Sequence, residues 1–194
     1  MRERPLGFRL GTVLATSFTG TLSERRGDPI ERIPTPDHLR EWLSIYGLDV
    51  DECTIGQLEL ARELREAIHL AATAAALDDP LPAPAVSIIN ERSRSGRSAP
   101  MLLNSGELKW VLGPPASVND ALSVIASDAI GIISGERDGR LALCASVTCR
   151  AAFFDTSRSR SRRWCDMNIC GNREKKAKFN ARHRLPETPT HQRG

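Results

Sequence analysis

Leu141-Ala-Leu-Cys144-Ala-Ser-Val-Thr-Cys149, answered fifteen residues later by Cys165-Asp-Met-Asn-Ile-Cys170-Gly-Asn-Arg173, decides how this chain is read. Each cysteine pair encloses four residues, a spacing used by structural zinc modules, and four thiolates suffice to close a tetrahedral site. A redox pair has two intervening residues and needs no second pair. A catalytic zinc keeps an open position that a fourth thiolate would fill. The pattern therefore predicts one structural Zn²⁺ held by Cys144, Cys149, Cys165 and Cys170. A segment of roughly fifty residues buries too little apolar surface to fold alone, so the metal supplies the missing stability.

Around the cysteines the expected order is a strand over 141–144, a strand over 151–155, a polar loop over 156–162, a returning strand over 163–165 and a helix after Cys170. That is a treble-clef-like sequence of elements. Gly171 is expected to let the backbone turn past the metal and Asn172 to cap the helix. Asp155, Thr156 and Ser157 should close the hairpin through backbone amides, and Trp164 and Phe179 should cover the apolar side of the metal.

The net charge of +3 conceals a polarised chain: residues 1–139 carry net −6 and residues 140–194 net +9. Arg158, Arg160, Arg162 and Arg163 crowd one loop. Lys175, Lys178 and Arg182 share a helix face, with Arg173, Lys176 and Arg184 alongside and Glu174 as the one nearby acid. Ten cations within residues 158–184 point to an anionic polymer, although a solvated basic face has the same composition.

Outward from this module the chain reads as helical, rich in Ala and Leu and with only 5% aromatic residues. Leu10, Val13, Leu14 and Phe18 fall at near-helical spacing, and residues 23–28 form a polar turn. Thr35-Pro-Asp opens a helix over 36–46 with Leu39, Trp42 and Leu43 inward, stopped by Gly47. Thr54-Ile-Gly-Gln57 is a capping box for a long helix over 55–77. Its inward stripe reads Leu60, Leu64, Ala67, Ile68, Ala71 and Ala75; its wet face reads Glu59, Arg62, Glu63 and Glu66. A helix follows over 83–93, then a short hairpin over 98–112, then a helix over 118–134 begun by Ser117-x-x-Asp120. The expected fold class is mainly α with small β elements (α+β). A helical domain spans 1–138, a four-cysteine zinc finger 139–185 and a disordered tail 186–194.

Three exclusions follow. No apolar run is long enough to cross a bilayer, and the first residues lack an apolar stretch before a small-residue cleavage site, so a cytoplasmic protein is expected. Cys53 stands alone at a helix start and receives no role. His38, His69, His183 and His191 are scattered, His38 and His69 reading as surface or capping residues on helices, so no enzyme is expected.

Cys144-x4-Cys149, Phe154-Asp155-Thr-Ser-Arg158, Ser161-Arg-Arg-Trp-Cys165 and Cys170-Gly-Asn-Arg173 together resemble the CGNR zinc finger over about residues 140–184. Phe18-Thr-Gly-Thr21, Arg26-Gly-Asp28 and Pro36-Asp-His-Leu-Arg-Glu-Trp-Leu43 are similar to the ABATE domain that precedes this finger in its family. Gly20 departs from the pattern, standing where family members usually carry Asn, so any capping or ligand role of that Asn is missing here. The resemblance implies a bacterial stress-induced transcriptional regulator, and the basic charge pattern adds the expectation that its finger contacts DNA. Its helical domain would sense a small-molecule effector or self-associate as a homodimer. A protein- or RNA-interaction module with purely structural zinc stays open beside it.

Overall fold

The computed structural model describes residues 7–11 and 13–183. Arg184 and the expected tail over 186–194 lie outside the described residues. The architecture is mainly helical with small sheets.

Helix α1 (Leu14–Thr19) starts later than the apolar spacing suggests, and Leu10 is left 55% exposed before it. The polar turn that follows carries a two-residue antiparallel ladder, β1 (Leu22–Ser23) with β2 (Ile30–Glu31), too short to leave a period-two signal. Helix α2 (Pro36–Ile45) begins at Thr35, whose side chain accepts from the His38 N–H, and its Leu39, Trp42 and Leu43 are fully buried. Trp42 packs between Phe18 and Tyr46, with ring centroids 5.2 and 4.7 Å away. Gly47, at φ +68°, supplies the left-handed residue that ends the turn.

The centre of the body is α3 (Ile55–Ala76), opened by the Thr54–Gln57 capping box, packed against α4 (Ala83–Ser95) and α5 (Val118–Ile133). A second capping box, Ser117 with Asp120, opens α5. Because α1, α4 and α5 all lie on α3, its buried face is wider than the expected stripe: Leu58, Ala61 and Ala72 are buried, while Leu60 and Ala75 are only half-buried. Arg65 is buried too, its guanidinium bidentate to Glu31 at 2.8 Å for both oxygens and also donating to Thr21. Glu66, expected on the wet face, is half-buried between Arg25 and Arg65. The hairpin of β3 (Ser98–Leu102) and β4 (Leu108–Leu112) is present, in register from Ser98↔Leu112 to Leu102↔Leu108.

His69 of α3 is half-buried rather than a surface or capping residue. Burial, with Arg25 nearby, pushes its pKa down to about 4. The folded state therefore holds a neutral imidazole while the unfolded chain binds a proton below about 6.5. Between those values the unfolded state binds more protons, so stability falls as pH drops from 6.5 to about 4. His69→Phe should flatten the urea midpoint across that window, and an imidazole that titrates near 6.5 by NMR would contradict the reading.

The finger begins with β5 (Arg140–Leu143) and β6 (Ala152–Asp155), an antiparallel pair in which Leu141 faces Phe154 and Ala142 faces Phe153. The two faces of this ribbon go to different places. Leu141, Ala152 and Phe154 belong to the same apolar core as α3 and α5, whereas Phe153 packs with the cysteines. Period-two alternation thus explains why all four residues of β6 are buried.

Candidate metal centre and the seam beneath it

The four cysteines meet. One ligand atom from each of Cys144, Cys149, Cys165 and Cys170 lies within 4.8 Å of every other. The Cys149–Cys165 and Cys165–Cys170 sulfurs are 3.6 and 3.7 Å apart. Four sulfurs about 2.3 Å from one zinc at tetrahedral angles stand roughly 3.8 Å from each other, so the donor set fits Zn²⁺ in type, number and spacing. Sharing protons in so small a space splits their chemistry. Hydrogen bonds from Cys149 and Cys165 favour the Cys144 thiolate, and that thiolate pushes the Cys149 and Cys165 thiols up, while burial raises Cys170. Four neighbouring thiolates need a cation to offset their charge, and zinc supplies two positive charges when bound.

Local folding places each sulfur. The Cys144 N–H donates to the Ala151 carbonyl at 2.9 Å, and the Cys149 N–H to the Ser146 carbonyl at 3.1 Å, closing the first loop. Asp155 is fully buried, and its two oxygens accept from the Ser157 and Arg162 N–H groups, both at 2.9 Å, as the hairpin reading anticipated. Residues 163–165 do not form the expected returning strand; one backbone bond, Ala145 N–H to the Arg163 carbonyl at 2.7 Å, is enough to bring Cys165 in.

Cys170 sits in a single wide turn of helix, Met167–Gly171, that runs on into α6 (Asn172–His183). The residue that caps this run is Asp166, accepting from the Asn168 and Ile169 N–H groups. Asn172 lies inside the helical path at φ −69°, so it caps nothing at the start. Gly171 does not make the expected special turn: its φ is not positive, and a Cβ there would meet only the Met167 sulfur, at 2.5 Å, on an exposed and flexible side chain. Trp164 does pack on the cysteine cluster, but Phe179 is 60% exposed and stacks on His183 instead.

The model of a family described as "Putative stress-induced transcription regulator" (ABATE) matches residues 12–136, well over half of the sequence. The chain belongs to the ABATE family. The CGNR zinc finger model matches residues 140–183, and no curated protein matches the chain. Family and geometry together make this a zinc-binding protein of a regulatory family, with one structural Zn²⁺ in the CGNR finger. Among the described residues no helix is long and apolar enough to cross a membrane.

The arginine of the CGNR tetrapeptide is where finger and ABATE body are joined. Both terminal nitrogens of Arg173 reach the Glu24 carboxylate, one at 2.8 Å, and Arg9 donates to the same carboxylate at 2.7 Å. Thr148, inside the first cysteine loop, donates to Glu24 at 2.8 Å and accepts from Arg173. The Arg26 N–H bonds the Thr148 carbonyl at 2.9 Å, and a Cβ on Gly27 would come 3.1 Å from the Thr148 side chain. Glu24 holds this position in the left-handed backbone region, at φ +55°, a cost of about 1–2 kcal/mol that the surrounding bonds offset. Arg173, with Arg9 and Thr148, keeps the Glu24 carboxyl at about 2 in spite of burial. Sequence reasoning missed Glu24, Arg9 and Thr148 because 149 residues separate the partners Glu24 and Arg173 and no local pattern marks them.

The cations singled out from sequence are distributed unevenly. Lys175, Lys176, Lys178 and Arg182 lie on α6, none of whose residues is buried, and Arg158 is exposed on the loop. Arg160 pairs with Asp138, Arg162 donates to the Cys165 carbonyl at 2.8 Å and lies over the Phe153 ring, and Arg163 lies over Trp164. Arg173 is committed to Glu24. Gly20 ends α1 in ordinary helical geometry (φ −69°, ψ −11°), where an Asn side chain requires no special backbone.

Proposed function

We propose that this protein regulates transcription by docking the CGNR finger on DNA, while the ABATE body senses an effector or pairs with a second copy. The working division falls at about residue 138. The observation that carries the reading is α6. Lys175, Lys176, Lys178 and Arg182 stand on an exposed helix held to the protein at its first turn by the zinc ligand Cys170 and by Arg173, and none of these four cations forms an ion pair among the described residues. Unpaired cations on an exposed helix anchored at one end favour phosphate contact, because no neighbouring carboxylate already neutralises them. Arg158 extends the same set. Arg173 contributes by fixing the helix rather than by reaching a phosphate.

About five phosphate contacts should give a slope of log K against log salt near −4.5 on duplex DNA. Replacing Lys175, Lys178 and Arg182 with Gln should shallow that slope by about 2.7. Anisotropy titrations between about 50 and 200 mM salt read both values directly. No binding at low salt, or an unchanged slope in the triple variant, would remove the proposal. Tighter binding to single-stranded RNA than to duplex DNA at equal salt would favour the interaction-module reading.

A further inference from the structure

The cleft where finger meets body is lined by four arginines, three of which have no side-chain partner among the described residues. It encloses about 540 Å³ between the C-terminal ends of α3 and α5 on one side and the zinc-held hairpin on the other. We propose that this cleft binds a compact multivalent anion of the phosphate-ester or polycarboxylate class. The proposal refines the effector half of the function above and is independent of whether α6 touches DNA.

Three arginines carry it: Arg140, Arg150 and Arg163 all line the cleft, and among the described residues none of them makes a side-chain hydrogen bond or an ion pair. Each is pinned at its backbone. Arg140 sits opposite Asp155 in the ladder. Arg150 is held at φ +48° with its N–H on the Ser146 carbonyl at 3.1 Å. The Arg163 carbonyl accepts from Ala145, and its guanidinium lies 5.2 Å from the Trp164 ring centroid. These contacts fix where each side chain starts, and guanidinium forks match carboxylate and phosphate geometry.

The charge balance decides the sign of the ligand. Arg162 also lines the cleft, making four cations against one carboxylate, Asp78. These are the charges of the lining itself; the C-terminal ends of α3 and α5 and the zinc-bound thiolates nearby offset part of them. The volume lies in the range of small-molecule sites, and Leu141, Phe154 and Ile132 give it an apolar floor shared with the body's core. A duplex backbone calls for cations on an exposed surface, such as α6 offers, and α6 contributes no residue to this concavity.

Isothermal titration of the full, zinc-loaded chain at fixed ionic strength tests this with three probes: fructose 1,6-bisphosphate, tricarballylate and, as the monovalent control, acetate. At least one multivalent probe should bind one-to-one and at least thirtyfold tighter than acetate, and the preferred probe distinguishes the two ligand classes. The Arg140→Gln/Arg150→Gln variant, with zinc content unchanged, should weaken that binding at least tenfold. Lys175→Gln/Lys178→Gln should leave it unaltered. The inference is overturned by no saturable binding of either multivalent probe, by equal affinity in the arginine variant, or by loss in the lysine variant. Each of those results leaves the DNA reading standing, which salt-dependent anisotropy judges separately.

Discussion

Changing Cys165 and Cys170 together to Ser is expected to release the zinc and to lower the melting temperature of the body as well as that of the finger. Structural zinc in finger-sized modules is worth on the order of 10–16 kcal/mol at neutral pH, more than so small a unit has in reserve. The damage spreads because the β5–β6 ribbon has two buried faces, and Leu141, Ala152 and Phe154 are part of the helical core. Exposing Leu141 and Phe154 alone forfeits about 3–6 kcal/mol of burial. A domain of this size shifts about 2–4 °C per kcal/mol, which corresponds to a drop of roughly 6–24 °C. Calorimetry beside elemental analysis checks both parts. A variant that loses zinc yet retains an unshifted main transition would show that the finger is an independent bead.

Glu24→Gln is the second change expected to cost much, about 2–3 kcal/mol at pH 7. It leaves Arg9 and Arg173 facing each other across a partly buried seam without the charge that binds them. Arg173→Gln should cost less, because that side chain is more open to water. A double-mutant cycle between them should give a coupling of about 1–3 kcal/mol. The pH dependence has a definite sign. Glu24 is depressed from 4.5 to about 2, so its contribution is complete above 4.5 and is lost as pH falls towards 2. Additive single costs would contradict the seam. An intact zinc content in both single variants keeps this test apart from the first.

Local signals were the ones sequence could carry. Thr35, Thr54 and Ser117 each announce a helix start, and each accepts the backbone bond that its position implies. The four cysteines announce their meeting by spacing alone, because a metal site is recognised by donor type and count. What could not be read depends on distant partners. Arg65 looks like one more polar residue on a helix, and only Glu31, 34 residues away, explains its burial. Arg173 looks like one more cation in a basic run, and only Glu24 shows that its charge is used internally. Asp166 and Asn172 are both good caps by type; the helical path begins before Cys170, so Asp166 takes the role. Phe179 follows the apolar rule for a core residue, yet among the described residues α6 has no neighbour to bury it against.

Zinc K-edge absorption on freshly purified protein, with metal stoichiometry taken from the same sample, is the most direct measurement. One zinc per chain in a shell of four sulfurs at about 2.3 Å is the predicted result. A shell containing nitrogen or oxygen, or a chain folded without stoichiometric zinc, would contradict a finger held together by Cys144, Cys149, Cys165 and Cys170.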